Sequence, residues 1–242
     1  LGEAIEVLLP GSKEQGRLAA QKEIDDMQAW LQIFVCMLTF PSRECPLHIF
    51  EPRYRLMMRR AVSSGLSRFG MCVPSQGPPE VAQHGFSKVG TVLRIREIRM
   101  LPDGRSLVDC IGEGRFKVLE VGERDGYSVA RVDYMVESDE ASGPLIDRCR
   151  GYFAELRQSL FTRGCRLPDI GATQNPDDFF WECLEVLPVS DNLKFGIFIT
   201  ESCATRFSLL CGLLEKMRET LRELSGREGE PVLGEAEEED DD

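Results

Sequence analysis

The amino-acid sequence predicts an α+β chain in which a small antiparallel β-barrel is followed by a C-terminal helical bundle. Three observations carry this expectation. Between residues 69 and 136 apolar side chains alternate with polar ones and glycine-rich turns recur at short spacing; after Gly143 the apolar period becomes helical; and the strand segments precede the helical ones instead of interleaving with them. With 242 residues, 42% of them hydrophobic, the chain has material for one large core or two smaller ones.

The elements follow in order. Residues 1–31 mix Gly, Glu, Lys and Gln with scattered apolar residues and read as a leader or linker, with a helix expected over residues 13–30. Residues 32–40 form a short apolar run closed by Pro41, the pattern of a buried strand, and residues 46–50 make a brief second one. Glu51-Pro52 then opens a helix whose apolar face is Tyr54, Met57, Met58, Ala61 and Val62, ended by Gly65. Phe50 and Leu56 are expected to be buried beside that face, and Arg53, Arg55, Arg59 and Arg60 to face water or pair with Glu51.

About six short antiparallel strands are expected next. A hairpin turns at Leu101-Pro102-Asp103-Gly104, and residues 106–111, 116–121 and 127–134 are separated by Gly112-Glu113-Gly114 and Arg124-Asp125-Gly126. The barrel is assigned to residues 32–140 and the helices to residues 141–226. Leu145, Cys149, Tyr152, Phe153, Leu156 and Leu160 make the first helical stripe, stopped by Gly164. Asn175-Pro176-Asp177-Asp178 combines a capping side chain, a proline at the first helical position and two carboxylates at the positive end of the dipole. Ser190-Asp191 starts a further helix, and Phe207, Leu210, Cys211, Leu214, Met217 and Leu221 mark the last one.

Charge and cysteine usage narrow the function. Net charge is −12, yet residues 228–242 hold nine acidic and no basic side chains, so the remainder is nearly balanced. Residues 227–242 read as a solvated, disordered acidic tail, and its sign disfavours nucleic acid as a partner. Nine cysteines with no Cys-x-x-Cys do not make a disulfide framework; they place the chain in a reducing compartment, cytoplasm or nucleus. No apolar run is long enough for a membrane helix, and no signal segment opens the chain. Because the first residue is Leu1 and not Met, the chain is expected to be a piece of a longer protein.

Candidate chemistry is sparse. The sequence lacks a Gly-x-x-x-x-Gly-Lys-[Ser/Thr] phosphate loop. Cys36, Cys45 and His48 offer three zinc ligands where structural zinc takes four, and Cys45 with His48 offers a thiol and a base outside any recognisable catalytic setting. No metal, cofactor or catalytic residue is therefore expected. Phe116, Tyr127 and Tyr134, with Arg94, Arg96, Arg105 and Arg115 nearby, could form a base-stacking face for RNA; ordinary barrel packing with solvated arginines is the competing reading.

The order of several blocks carries a resemblance. Phe34-Val35-Cys36, Phe40-Pro41 and the run from Cys45-Pro46-Leu47-His48 through Ile49-Phe50-Glu51-Pro52-Arg53-Tyr54 are followed by Phe69-Gly70-Met71-Cys72, Leu101-Pro102-Asp103-Gly104, Arg115-Phe116-Lys117-Val118 and Leu187-Pro188. Together they resemble the Lon N-terminal, or substrate-binding, domain over about residues 32–224, and look closest to the branch in which that domain follows a RING finger. Gln32 stands where the family usually has proline, and Phe179-Phe180-Trp181-Glu182 replaces a more tryptophan-rich helix start. The resemblance implies a PUA-like barrel followed by helices, and a non-catalytic module that recognises protein clients or peptides for a larger degradation factor, such as a RING-type ubiquitin ligase; PUA-like barrels also bind RNA. Arg53, Arg55, Arg59, Arg60, Arg105 and Tyr127 are the candidate partner-binding residues.

Overall fold

A computed structural model of the chain describes residues 30–74, 82–83, 85–136, 139–170, 173 and 175–227. The helix expected over residues 13–30 and the acidic tail lie outside the described residues, apart from Trp30 and Arg227 at their borders. The chain divides into two compact units between Val136 and Glu137.

The first unit holds β1 (Leu31–Val35), β2 (Glu44–Ile49), α1 (Pro52–Ser63), β3 (Arg68–Cys72), β4 (Ala82–Gln83), β5 (Phe86–Ser87), β6 (Val89–Met100), β7 (Ser106–Arg124) and β8 (Tyr127–Tyr134). Six strands form one sheet in the order β2-β7-β6-β3-β1-β8, and β8 pairs again with β7 to close it. On one side β7 follows β6; on the other, its first half pairs with β2 and its second half with β8. The register explains the expected alternation. Ile33 and Phe34 are neighbours on β1, both buried, and belong to cores on opposite faces of the curled sheet. One core joins Ile33, Val92, Phe116 and Ala130, and the other joins Phe34, Leu47, Phe69 and Val108 with Tyr54, Met57, Met58 and Ala61 of α1.

Several expectations change here. The first strand ends at Val35, because the chain leaves the sheet and turns at Ser42, which has φ 60°. Gly112-Glu113-Gly114 is no turn: β7 runs through it, and Gly112 lets the strand pass against the Phe40 carbonyl, where a side chain would collide. Pairing is antiparallel except between β1 and β3, which are parallel because β2 and α1 intervene as a crossover. Phe50 and Val62 are exposed (61% and 45%), and Leu56 is only half-buried; the buried face of α1 stops at Ala61.

The second unit holds α2 (Gly143–Thr162), α3 (Pro176–Val186), α4 (Asp191–Phe198) and α5 (Cys203–Arg227). Asn175 caps α3 by accepting from the Asp177 N–H at 2.9 Å, and Ser190 accepts from the Leu193 N–H to start α4. Gly164, at φ 81°, ends the chain's path out of α2. Helices α2 and α5 run side by side in the same direction: Cys149 Sγ reaches the Phe207 carbonyl, and six residues further along α2 Glu155 takes both Arg218 and Arg222. Phe179, Phe180, Trp181, Phe198 and Phe207 fill the core, and Arg206, 1% exposed, lies 5.1 Å from the Trp181 ring centre while donating to the Thr200 and Glu201 carbonyls. Asp139 accepts from the Ser202 hydroxyl and from the Cys203 and Ala204 N–H groups at the start of α5, which holds its carboxyl below the usual range.

Candidate partner-binding surface

Helix α1 lays its arginines against two hairpin turns. At the β7–β8 turn, Asp125 and Gly126 both have positive φ (49° and 79°), the conformation a two-residue hairpin of this kind requires. Arg60 donates to the Asp125 carboxylate and to the Tyr127 hydroxyl, the latter at 2.9 Å. Those two hydrogen bonds hold its guanidinium in the charged form. Arg53 donates to Glu51 at 2.8 Å and sits 4.6 Å over the Tyr54 ring, with its stem near Gly126. At the β6–β7 turn Gly104 has φ 81° and leaves room for the Arg55 guanidinium, while Arg105 grips Asp103 at 2.7 Å.

Five of the six candidates therefore gather around two turns: Arg53, Arg60 and Tyr127 at one, Arg55 and Arg105 at the other. Arg59 is exposed and joins neither. Tyr127 is 2% exposed, so its ring packs inside; Arg60 meets its hydroxyl and lies 6.0 Å from the ring centre. Arg60 is not a solvated side chain as expected but a clamp from α1 to the hairpin.

The alternatives meet the same geometry. Phe116 (0%) and Tyr127 are buried and present no ring face for stacking; of the three aromatics only Tyr134 is exposed, at 58%. Arg94 pairs with Glu113, Arg96 with Glu44 and Arg105 with Asp103, and Arg115 is buried. Cys45 and His48 stand three residues apart on β2, so one faces the core and the other faces out. Burial, aided by Cys45 across the strand pair, pushes the Cys110 thiol up to about 12. Cys36 is exposed and Cys45 buried, and no cluster of three His, Cys, Asp or Glu able to hold a metal occurs among the described residues.

Sequence reading missed the outward face of β2, β7 and β6. The register places Pro46, Asp109 and Glu97 in one row across the three strands and His48, Leu107 and Arg99 in the next. Two grooves, about 420 and 270 Å³, lie over these rows and share Pro46, Glu97 and Asp109. Alternation alone signalled that these residues face outward; that they stand side by side is a matter of register.

The ATP-dependent protease La (LON) substrate-binding domain matches residues 30–216. A LON peptidase N-terminal domain and RING finger protein of Schizosaccharomyces pombe is 24% identical over 237 residues, covering 84% of this chain and 49% of the relative, so the chain spans about half the length of that relative. Two solved structures share the fold. The Lon N-terminal domain protein from Xanthomonas campestris superposes with TM-score 0.56 at 22% identity, over 76% of this chain and 97% of the other. The N-terminal domain of the Mycobacterium avium complex Lon protease gives 0.57 at 14% identity, over 77% and 98%. The match across both units shows that this chain belongs to the Lon substrate-binding domain family.

Proposed function

We propose that the chain is the non-catalytic, client-recognising part of a larger protein-degradation factor, a RING-type ubiquitin ligase whose RING lies outside these residues. The observation that carries this reading is the family match over residues 30–216, which embraces the barrel and the helices together. The RING finger in the name of the Schizosaccharomyces pombe relative supports the ligase part. The exposed arginines Arg53, Arg59 and Arg105 and the half-buried Arg55 are proposed client contacts, and cytoplasm or nucleus is the proposed compartment, in keeping with nine cysteines free of disulfides. No helix among the described residues is long and apolar enough to cross a membrane.

The test is a binding comparison with the isolated chain. It is expected to capture a reduced, alkylated, permanently unfolded protein and not its native form, with little dependence on salt. Binding to single-stranded RNA that falls steeply with salt, without capture of unfolded protein, would overturn the reading in favour of an RNA-binding module. In a ubiquitin-transfer assay the isolated chain is expected to be silent and the parent protein active on a captured client.

A further inference from the structure

Strand β2 ends the sheet in the order β2-β7-β6-β3-β1-β8, so one of its edges is open among the described residues. The phase of its backbone follows from two observations. The Gly112 N–H donates to the Arg43 carbonyl, and the register continues as Cys45↔Cys110, Leu47↔Val108 and Ile49↔Ser106. Odd-numbered residues therefore bond to β7, while Glu44, Pro46 and His48 turn their backbone groups to the free edge. Pro46 agrees with this phase independently, since a proline inside a strand puts its missing donor on the unpaired side. Proline blunts the middle of the edge, but the His48 N–H and carbonyl and the Pro46 carbonyl remain available.

The face beside this edge is unevenly charged. Asp109 and Glu97 are directly opposite on β7 and β6, a like-charged cross-strand pair that destabilises a sheet. Neither makes an ion pair among the described residues; the neighbouring Arg96 is taken by Glu44 at 2.6 Å. Pro46, the third member of the row, carries no long side chain to cover them, and about two strand spacings, roughly 10 Å, separate Asp109 from a strand added at the edge. A lysine or arginine of such a strand reaches that far. In the next positions Leu107 and Phe50 are exposed, at 37% and 61%, and the Phe50 ring leans on His48.

We propose that the open edge of β2 receives an extended segment of a client protein as an added strand, with a basic side chain laid across Pro46 onto Asp109, next to Glu97, and an apolar side chain beside His48, Leu107 and Phe50. This deepens the recognition reading above and rests on it for the word client. Backbone pairing supplies affinity that tolerates many sequences, and the alternate-residue contacts supply the preference for a basic and an apolar residue two positions apart.

The probe is a fluorescein-labelled nonapeptide, Thr-Thr-Lys-Thr-Leu-Thr-Leu-Thr-Thr, followed by anisotropy, with a sibling carrying Glu for Lys. The wild-type chain is expected to bind the lysine peptide at least tenfold more tightly than the glutamate one. The double variant Glu97→Gln with Asp109→Asn removes a repulsion, so it folds, and it is expected to lose that preference. His48→Pro removes the free-edge donor where a strand tolerates proline and is expected to weaken both peptides. N-methylation on one set of alternate peptide residues should abolish binding, and on the other set leave it. Equal binding by both methylated sets, or an undiminished lysine preference in the double variant, overturns the proposal, as does absence of binding by the wild type. Capture of unfolded protein is measured alongside: if His48→Pro captures it as the wild type does, this edge is not the client site while recognition stands. If nothing unfolded is captured by the wild type, the recognition reading fails and the peptides still decide the edge.

Discussion

Glycines divide the two units. In the barrel, an added Cβ at Gly90 would stand 2.5 Å from the Met71 carbonyl oxygen and 2.6 Å from Phe116 Cζ, and one at Gly70 would meet Phe116 and Ile33. In the helical unit, Gly143, Gly151, Gly196 and Gly212 would meet nothing within 4 Å. A closed sheet brings backbones and large side chains together from opposite strands, and the small interior sets the volume limit. Helices keep backbones apart and fill the space with side chains, so a helical glycine is a weakness unless it ends the helix. Stability in the first unit is governed by what fits inside the curled sheet, and in the second by stripes and caps.

The largest expected effect tests the interior of the first unit. Met57 is 0% exposed on α1, and Met57→Asp places an unpaired charge in the barrel core. A loss of about 4 kcal/mol or more is expected, enough in a domain of about 5–15 kcal/mol to prevent folding. Urea unfolding followed by circular dichroism reads it, and normal folding would break the account of α1. Next, Gly90→Ala is expected to cost about 1–3 kcal/mol by overpacking, while Gly114→Ala, on the same strand system but with open space around it, stays within about 0.5 kcal/mol. The chain has two tryptophans, Trp30 against the barrel core and the buried Trp181 in the helices, so single-tryptophan versions (Trp181→Phe or Trp30→Phe) assign each loss to its unit by fluorescence.

A middle-sized contrast lies on α1 itself. Arg60→Ala should cost about 1 kcal/mol, the value of a hydrogen bond whose loss leaves the Tyr127 hydroxyl without its donor. Arg59→Ala, exposed and outside both turns, should stay within about 0.5 kcal/mol. In the helical unit the sign reverses: Gly212→Ala is expected to raise stability by about 0.5–1 kcal/mol, and a loss there would break the comparison between the units. The last test is a slope. The Asp139 carboxyl is held below its ordinary value by Ser202 and the α5 N–H groups, so its contribution is present above the ordinary carboxylate range and is lost as pH falls through the depressed value. Unfolding midpoints of wild type and Asp139→Asn, compared between neutral and acidic pH, should converge on acidification.

The order of strands then helices, the α1 face from Tyr54 to Ala61, the β6–β7 and β7–β8 turns, and the caps at Asn175 and Ser190 were legible in the residues themselves. Each depends on neighbours within a few positions: periodicity, a capping side chain, a proline, a glycine with positive φ. Gly112-Glu113-Gly114 misled for the same reason, because two glycines read locally as a turn, and only the approach of the Phe40 carbonyl explains why β7 needs one there and runs on.

Tertiary structure alone decided which residues far apart in sequence meet. Arg60 and Tyr127 lie 67 positions apart, and nothing near either announces that one clamps the other. The row Pro46, Asp109, Glu97 exists only through strand register, and a shift of one residue would turn each strand's side chains to the other face. Local sequence sets the conformation of a segment, since its cause is steric and hydrogen-bonding preference within the segment. Contacts between segments are set by the joint burial of two cores on a closed sheet, a property of the whole barrel, and it was that closure that left β2 with an open edge among the described residues.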